Sequence, residues 1–236
     1  MGPAQRAVGG VARSVGGAFD DTGAQAEQLA RENAELRAQL RTSDDLRRRV
    51  DELDALLRLK DAGGYTVVPA RVSALGSTLG FAWTVTIDVG SDDGVQPGQT
   101  VVNGDGLVGR TTRVGRTTSV VLLLVDPGFS VGSRLTREGT IGIARGGATG
   151  PLTYQQVDGG RGEIGDALVT TGSETFVPGV PVGRVTAVDN GRGTLVPTAS
   201  VEPFADITSL DLVGVVVEPP RGEPRVPIPP VEQPPS

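Results

Sequence analysis

One stretch decides the fold class: Trp83-Thr84-Val85-Thr86-Ile87-Asp88-Val89-Gly90. Its apolar residues alternate with polar ones, which is the period of a β-strand with one buried face. Similar short runs occur along much of the chain, separated mostly by Gly or Pro turns, at 66–74, 107–114, 119–125, 131–136, 167–171, 182–188, 194–202 and 211–217. Many short strands in series predict β-barrels or sandwiches.

The composition agrees with a mainly β protein. The 236 residues include 35 glycines and 17 prolines, more than a helical protein tolerates. Only 3% are aromatic, so Val, Leu, Ile and Ala must form the core. A faint repeat predicts two small barrels, at 65–139 and 140–218: Gly106-Leu107-Val108-Gly109-Arg110 and Val180-Pro181-Val182-Gly183-Arg184. Exchange of strands between the barrels, or insertion of one barrel into the other, stays open.

Residues 24–62 follow a different period and contain no glycine. Apolar residues recur there at alternating spacings of four and three, which is typical of a coiled coil. Asn33 at a buried position favours a parallel homodimer, because mispairing it with leucine would strand an amide in an apolar seam. The predicted dimerisation residues are Leu29, Asn33, Leu36, Leu40, Leu46, Val50, Leu53 and Leu57.

Two alternatives concern this helical stretch. The helix packs instead on its own β domain, or it breaks and restarts at a candidate capping box formed by Thr42 and Asp45. Without a break, three extra residues between the two heptad blocks overwind the coil locally. The narrow apolar stripe and the charged opposite face favour a coiled coil between chains.

Both ends of the chain differ from its middle. Residues 1–23 are weakly amphipathic and interrupted by glycines, so they predict either an unstructured leader or a juxtamembrane segment. Residues 219–236 hold eight of the 17 prolines and predict a disordered, polyproline-like tail. No run approaches the roughly 18–20 apolar residues of a transmembrane helix, and no signal peptide is visible.

Several function classes are excluded by residues that the sequence lacks. It has no histidine, the commonest general base and metal ligand, and no cysteine for a thiolate metal site or a disulfide. The net charge of −6 is spread without a basic block, which argues against nucleic acid as a partner. We predict no catalytic residue, no metal ligand and no cofactor site.

Three short motifs match patterns of binding or catalytic sites, but the residues that each site also needs are missing. Residues 104–109 match GxGxxG, but a dinucleotide site needs a helix directly afterwards, and β-prone residues follow. Residues 128–132 match the GxSxG nucleophile elbow, which needs a histidine base. Asp88, Asp92 and Asp93 suggest calcium, but a turn held by aspartates fits their spacing better.

An ordered set of motifs runs from the helical stretch to residue 217. A coiled coil rich in leucine and glutamate is followed by Ala70-Arg71-Val72, Trp83, Ile87-Asp88-Val89-Gly90, Asp93-Gly94-Val95, Gly98, Gly106-Leu107-Val108-Gly109, Ser119, Leu123, Asp126, Ser133-Arg134, Gly165-Asp166, Val169-Thr170-Thr171-Gly172 and Pro178-Gly179-Val180-Pro181-Val182-Gly183-Arg184-Val185. In this order the motifs resemble the MreC family of rod shape-determining proteins, over most of residues 25–217.

The resemblance implies a non-catalytic scaffold of the bacterial elongation machinery that needs no cofactor. Members of the family are anchored by one N-terminal transmembrane helix, project outside the cytoplasmic membrane, dimerise through the coiled coil and carry two β-barrels. The implied partners are MreD, RodA, a class B penicillin-binding transpeptidase and the MreB system. We expect the membrane anchor upstream of this sequence.

The motifs assign structural roles but no partner-binding residue. Trp83 is expected in the core, with an exposed contact as the alternative. The other function considered is a periplasmic adaptor of an export system, which needs two antiparallel helical stretches where this sequence predicts one. The residues with expected structural roles are Trp83, Asp88, Gly90, Gly94, Gly106, Gly109, Gly172, Pro178 and Gly183.

Overall fold

The computed structural model describes residues 16–76, 82–148, 150–157, 162–173, 175–189 and 197–218. One long helix, α1 (Gly16–Gly63), comes first. The strands that follow are β1 (Thr66–Leu75), β2 (Thr84–Ile87), β3 (Thr100–Val102), β4 (Leu107–Val114), β5 (Ser119–Leu123), β6 (Ser130–Leu135), β7 (Ile141–Gly147), β8 (Gly150–Gln156), β9 (Ala167–Thr170), β10 (Pro181–Asp189), β11 (Thr198–Pro203) and β12 (Leu212–Glu218). The protein is mainly β, as the alternating pattern predicts.

The strands close into two barrels of six strands each. Around the wall, the first barrel has the order β1-β12-β3-β4-β5-β2 and the second has the order β10-β11-β8-β7-β6-β9. The prediction of two small barrels is confirmed. The second barrel is inserted between β5 and β12 of the first, which is one of the arrangements that the sequence left open.

The predicted boundary between residues 139 and 140 is wrong. β6 precedes that boundary but belongs to the second barrel, and β12 follows it but closes the first. β12 pairs with β1 from Thr66↔Glu218 to Arg71↔Leu212 and with β3 through Gly214↔Val102. Closure removes unpaired strand edges, but a pairing between the two ends of the β region leaves no local trace in the sequence.

The alternation that identifies β2 fills the first barrel. Val85 and Ile87 point into its core, while Thr84 and Thr86 are half-buried on the other face. The second barrel has its own core, which also includes residues from the strands of the first barrel and from α1. Members of this shared core are Leu56, Tyr65, Val102, Leu107, Phe129, Leu152, Tyr154, Val182 and Val216.

Three strands escape prediction, one because it is short and two because they contain glycine or proline. β3 has only three residues, β7 contains three glycines, and β8 begins with Gly150-Pro151. Gly142 in β7 is required by packing, since a Cβ atom there would lie 2.7 Å from the ring of the buried Tyr154. Glycine in a strand therefore marks a close approach here.

α1 begins earlier than predicted and does not break. It starts at Gly16, inside the predicted leader 1–23, whose residues 1–15 lie outside the described part. The Thr42 hydroxyl donates to the Ala38 carbonyl oxygen at 3.0 Å, a bond within one helix, so the predicted alternative of a break at Thr42 is wrong. The helix ends at Gly63, and Gly64 takes a left-handed φ of 66°.

The chain forms two compact units, Met1–Val50 and Asp51–Ser236. The second unit contains the last turns of α1 and both barrels. Across the described ranges, no helix is both long enough and apolar enough to cross a membrane. The predicted Pro-rich tail 219–236 lies outside the described residues.

Ala148, in the β7–β8 connection, carries local backbone strain. Its φ of 62° is left-handed, which costs an L-residue roughly 1–2 kcal/mol. Its N–H donates to the Val125 carbonyl oxygen at 2.8 Å, so the surrounding structure holds it there. We predict that Ala148→Gly raises the midpoint of thermal unfolding, measured by circular dichroism, by about 2–4 °C.

The matched control for this prediction is Ala187→Gly, at an exposed position in β10. Glycine there should lower the midpoint, because it costs about 0.5–1 kcal/mol inside a strand. A lower midpoint for both variants would mean that Ala148 is not strained.

Candidate interaction surfaces

Five of the predicted dimerisation residues, here called the stripe, have exposed apolar side chains in one copy of the chain. In the unit that ends at Val50, the side chains of Leu36, Leu46 and Val50 are exposed. In the unit that begins at Asp51, Leu53 and Leu57 are 39% and 43% exposed. Asn33 is exposed, and the side chains of Leu29 and Leu40 lie outside the described part. Dimerisation through this stripe stays a prediction.

Leu56 packs on the β domain, so one alternative interpretation of the helix holds for this residue. It is only 3% exposed and belongs to the shared core with Tyr65, Val102 and Val216. The heptad pattern skips Leu56, and for that reason sequence reasoning missed it. The available signal was the doublet Leu56-Leu57, which places a leucine outside the spacing of four and three.

The residues with expected structural roles hold turns and close backbone contacts. The Asp88 carboxylate accepts the Arg71 N–H at 2.6 Å. Gly94 and Gly172 have φ values of 84° and 88°, which favour glycine. At Gly109, a Cβ atom would lie 2.1 Å from the Leu122 carbonyl oxygen, so no larger residue fits.

The other motif glycines also lie close to neighbouring backbone. A Cβ atom would lie 2.4 Å from the Arg116 carbonyl oxygen at Gly90, and 2.2 Å from the Glu202 carbonyl oxygen at Gly183. At Gly106 it would lie 2.3 Å from the carbonyl oxygen of Pro181, so this glycine brings the β3–β4 connection against β10 of the second barrel.

The core position expected for Trp83 is wrong, because its side chain is 44% exposed. Trp83 directly precedes β2, in phase with Val85, but it stands outside the strand itself. Its backbone is fixed on both sides: its N–H donates to Asp126 Oδ2 at 2.7 Å, and its carbonyl oxygen accepts from the Leu123 N–H at 2.9 Å. The exposed indole is therefore held on rigid backbone.

A second apolar surface lies on the outer face of β7 and β8 in the second barrel. Ile141 and Ile143 point outward from β7, 52% and 36% exposed, and Val157 follows β8, 71% exposed. Exposed Arg134 and Arg145 flank them, and the three strands β6, β7 and β8 contain no acidic residue. We call Ile141, Ile143, Val157, Arg134 and Arg145 the β7 face.

The motifs that suggested chemistry lie in ordinary β structure. Residues 104–109 run from the β3–β4 connection into β4, not into a helix, and Ser130 opens β6. The Asp93 carboxylate accepts the Gly90 N–H, and Asp92 pairs with Arg116. Within the described residues, no group of three or more carboxylates is placed to hold a metal ion.

Contacts between the barrels lie close to the end of α1. The Tyr65 hydroxyl donates to the Pro178 carbonyl oxygen in the β9–β10 connection. The Thr100 hydroxyl in β3 donates to the Thr175 carbonyl oxygen at 3.0 Å and accepts from the Val177 N–H at 3.1 Å. These bonds attach the first barrel to one connection of the second.

Burial raises the pKa of the Tyr65 hydroxyl above 10.0. A tyrosine in the unfolded chain ionises near pH 10, whereas folded Tyr65 keeps its proton to higher pH. The free energy of unfolding should therefore fall as the pH rises above 10. We predict that Tyr65→Phe shows a shallower fall, measured by urea unfolding between pH 8 and 11, and loses about 1 kcal/mol at pH 8 with the hydrogen bond. An unchanged alkaline slope would contradict this role of Tyr65.

A family model described as "Rod shape-determining protein MreC, barrel core" matches residues 77–217. The cell shape-determining protein MreC of Caulobacter vibrioides is 33% identical over 201 residues, covering 80% of this chain and 55% of that protein. This chain therefore spans about half the length of that relative.

Solved structures share the fold. One MreC structure is 31% identical, with a TM-score of 0.64, and the match covers 72% of this chain and 98% of that chain. A complex between the penicillin-binding protein PBP2 and MreC from Helicobacter pylori is similar at the level of fold, with 14% identity and a TM-score of 0.51. That match covers 64% of this chain and 98% of the other.

Proposed function

We propose that this chain, which belongs to the MreC family of rod shape-determining proteins, is a scaffold of the bacterial elongation machinery. The family is a structural one and not a family of enzymes. The observation that carries the proposal is the closed double barrel with apolar side chains on its outer surface. Surfaces of this kind support binding of other proteins.

The first part of the proposal is a parallel homodimer formed by α1. Within the stripe, Leu46, Val50, Leu53 and Leu57 recur at spacings of four, three and four, and burying each against a partner would stabilise the dimer by at most about 1.5–3 kcal/mol. The residues around the stripe are mostly charged, so the stripe is narrow. A narrow apolar stripe fits one partner helix.

We predict that Leu36→Asp with Leu46→Asp converts the dimer into a monomer at micromolar concentration. Each copy would place two unpaired carboxylates in an apolar seam, at a cost of several kcal/mol in total. Light scattering on the full chain measures the mass, and circular dichroism checks that the β signal is kept.

The matched control is Ala34→Asp with Ala38→Asp, which adds the same charge at exposed helix positions outside the stripe. This control should remain a dimer. A parent chain with monomeric mass would contradict the proposed dimer, as would a dimeric stripe variant.

The second part of the proposal is a penicillin-binding transpeptidase as partner. The complex of the Helicobacter pylori relative supports this class of partner, and the β7 face supplies a surface for it. An apolar centre rimmed by two arginines suits a partner surface that is apolar with acidic neighbours. RodA, MreD and the MreB system are further proposed partners, and the extracytoplasmic face of the membrane is the proposed location.

We predict that Ile141→Asp with Ile143→Asp weakens binding to the ectodomain of the organism's class B transpeptidase at least about 30-fold, the loss expected for a central apolar contact worth about 2 kcal/mol. Biolayer interferometry with the full chain measures this affinity. The control Thr186→Asp with Ala187→Asp adds equal charge to exposed positions on β10 and should bind like the parent. Equal loss in both variants would exclude the β7 face as the docking surface.

A further inference from the structure

In the last turns of α1, one face of the helix is buried and the neighbouring face is exposed. Leu56 is buried against the first barrel, whereas Leu53 and Leu57 remain exposed. Successive residues of an α-helix are about 100° apart, so Leu53 and Leu57 share one side of the helix and Leu56 lies beside it. Leu53 and Leu57 therefore border the side of these last turns that contacts the barrel.

Two glycines bring the barrel wall up to the helix. At Gly104, in the β3–β4 connection, a Cβ atom would lie 2.3 Å from the Cβ atom of Ala55. At Gly214, in β12, it would lie 2.8 Å from Leu56 Cδ1. Neither glycine has a positive φ, so both are needed for space and not for backbone conformation.

The covalent link between helix and barrel does not fix the helix by itself. Gly63 and Gly64 form the junction, and glycine restricts the backbone least of all residues. Tyr65 is held immediately afterwards by its bond to the Pro178 carbonyl oxygen. The contacts of Ala55 and Leu56 are therefore what sets the rotation of the last helical turns about their axis.

We propose that this docked helix end presents Leu53 and Leu57 to α1 of a second copy in one fixed orientation relative to both barrels. The inference rests on the proposed dimer and adds to it the element that orients the two barrel pairs. The second helix is the occupant that fits, because Leu53 and Leu57 continue the spacing of Leu46 and Val50. The side of the helix next to Leu53 and Leu57 is covered by the wall of the first barrel and is not accessible to a second helix.

The test uses the absence of cysteine from the sequence. Ala187→Cys, at an exposed position in β10, accepts a single nitroxide label on each copy of the full chain. Pulsed electron paramagnetic resonance then measures the distance between the two labels of the dimer. The parent should give one narrow distance peak.

Gly104→Ala should abolish that peak while light scattering still reports a dimer, because the added methyl group displaces Ala55 from the wall. Exchanging the two residues, Ala55→Gly with Gly104→Ala, should restore the peak, since only one methyl group then occupies the contact. Gly150→Ala is the matched control: a Cβ atom there has only one neighbour within 4 Å, at 3.8 Å. It should leave the peak unchanged.

The outcomes separate the inference from the dimer itself. A dimer with a broad distance distribution in the parent, or with a narrow one in Gly104→Ala, would overturn the orienting role of the docked end. A monomeric parent would overturn the dimer and this inference with it.

Discussion

The strand β12 is buried on both of its faces, and the packing of the two barrels and of the last turns of α1 depends on this. Towards the interior of the first barrel, Val213 and Val215 are fully buried. On the opposite face, Gly214 lies against Leu56, and Val216 belongs to the core shared with the second barrel. Each buried valine stabilises the fold by about 1.5–3 kcal/mol. Loss of β12 would therefore open the first barrel, remove the surface on which Leu56 packs and weaken the shared core.

The position of β12 at the end of the β region also explains why the barrels act as one body. The second barrel lies between β5 and β12 in the chain, so its two ends are held by the wall of the first. Thr100 lies on β3, which pairs with β12, and it binds the connection between β9 and β10. The core shared by the two barrels also includes Phe129 and Phe176, which pack edge to face with ring centroids 5.5 Å apart. Surfaces on either barrel are thus presented on a shared support.

Local periodicity predicts most of the strands and the helix, because the burial of one face leaves a regular pattern of apolar residues in the sequence. β2 alternates because one face is buried, and α1 repeats its leucines because one side is apolar. β7 could not be predicted in this way. The glycine at position 142 is required by the ring of Tyr154, which lies on another strand. The boundary between the barrels was predicted wrongly for the same reason, because β12 pairs with β1 at the other end of the β region.

The surface residues also divide into those that neighbouring sequence predicts and those that depend on distant parts of the chain. The heptad stripe was visible in the sequence, whereas the burial of Leu56 depends on Gly104 and Gly214, which are distant in the chain. The expected core position of Trp83 agrees with the alternation of β2, which this residue continues. Alternation predicts which side of a strand a residue faces, but not where the strand begins. The exposure of the Trp83 indole is therefore seen only in the structure.

The outward positions of the strands give the strongest argument for protein binding. In a closed barrel every second residue must point outward, and the outward residues of β2 are Thr84 and Thr86, as expected for a wall that faces solvent. β7 places Ile141 and Ile143 at equivalent positions instead, with Val157 nearby. A single exposed isoleucine needs no explanation, but adjacent ones on a strand otherwise rich in glycine add nothing to the interior of the barrel. A partner surface that covers them would bury the part of each side chain that is still exposed, which fits the proposed role as a scaffold.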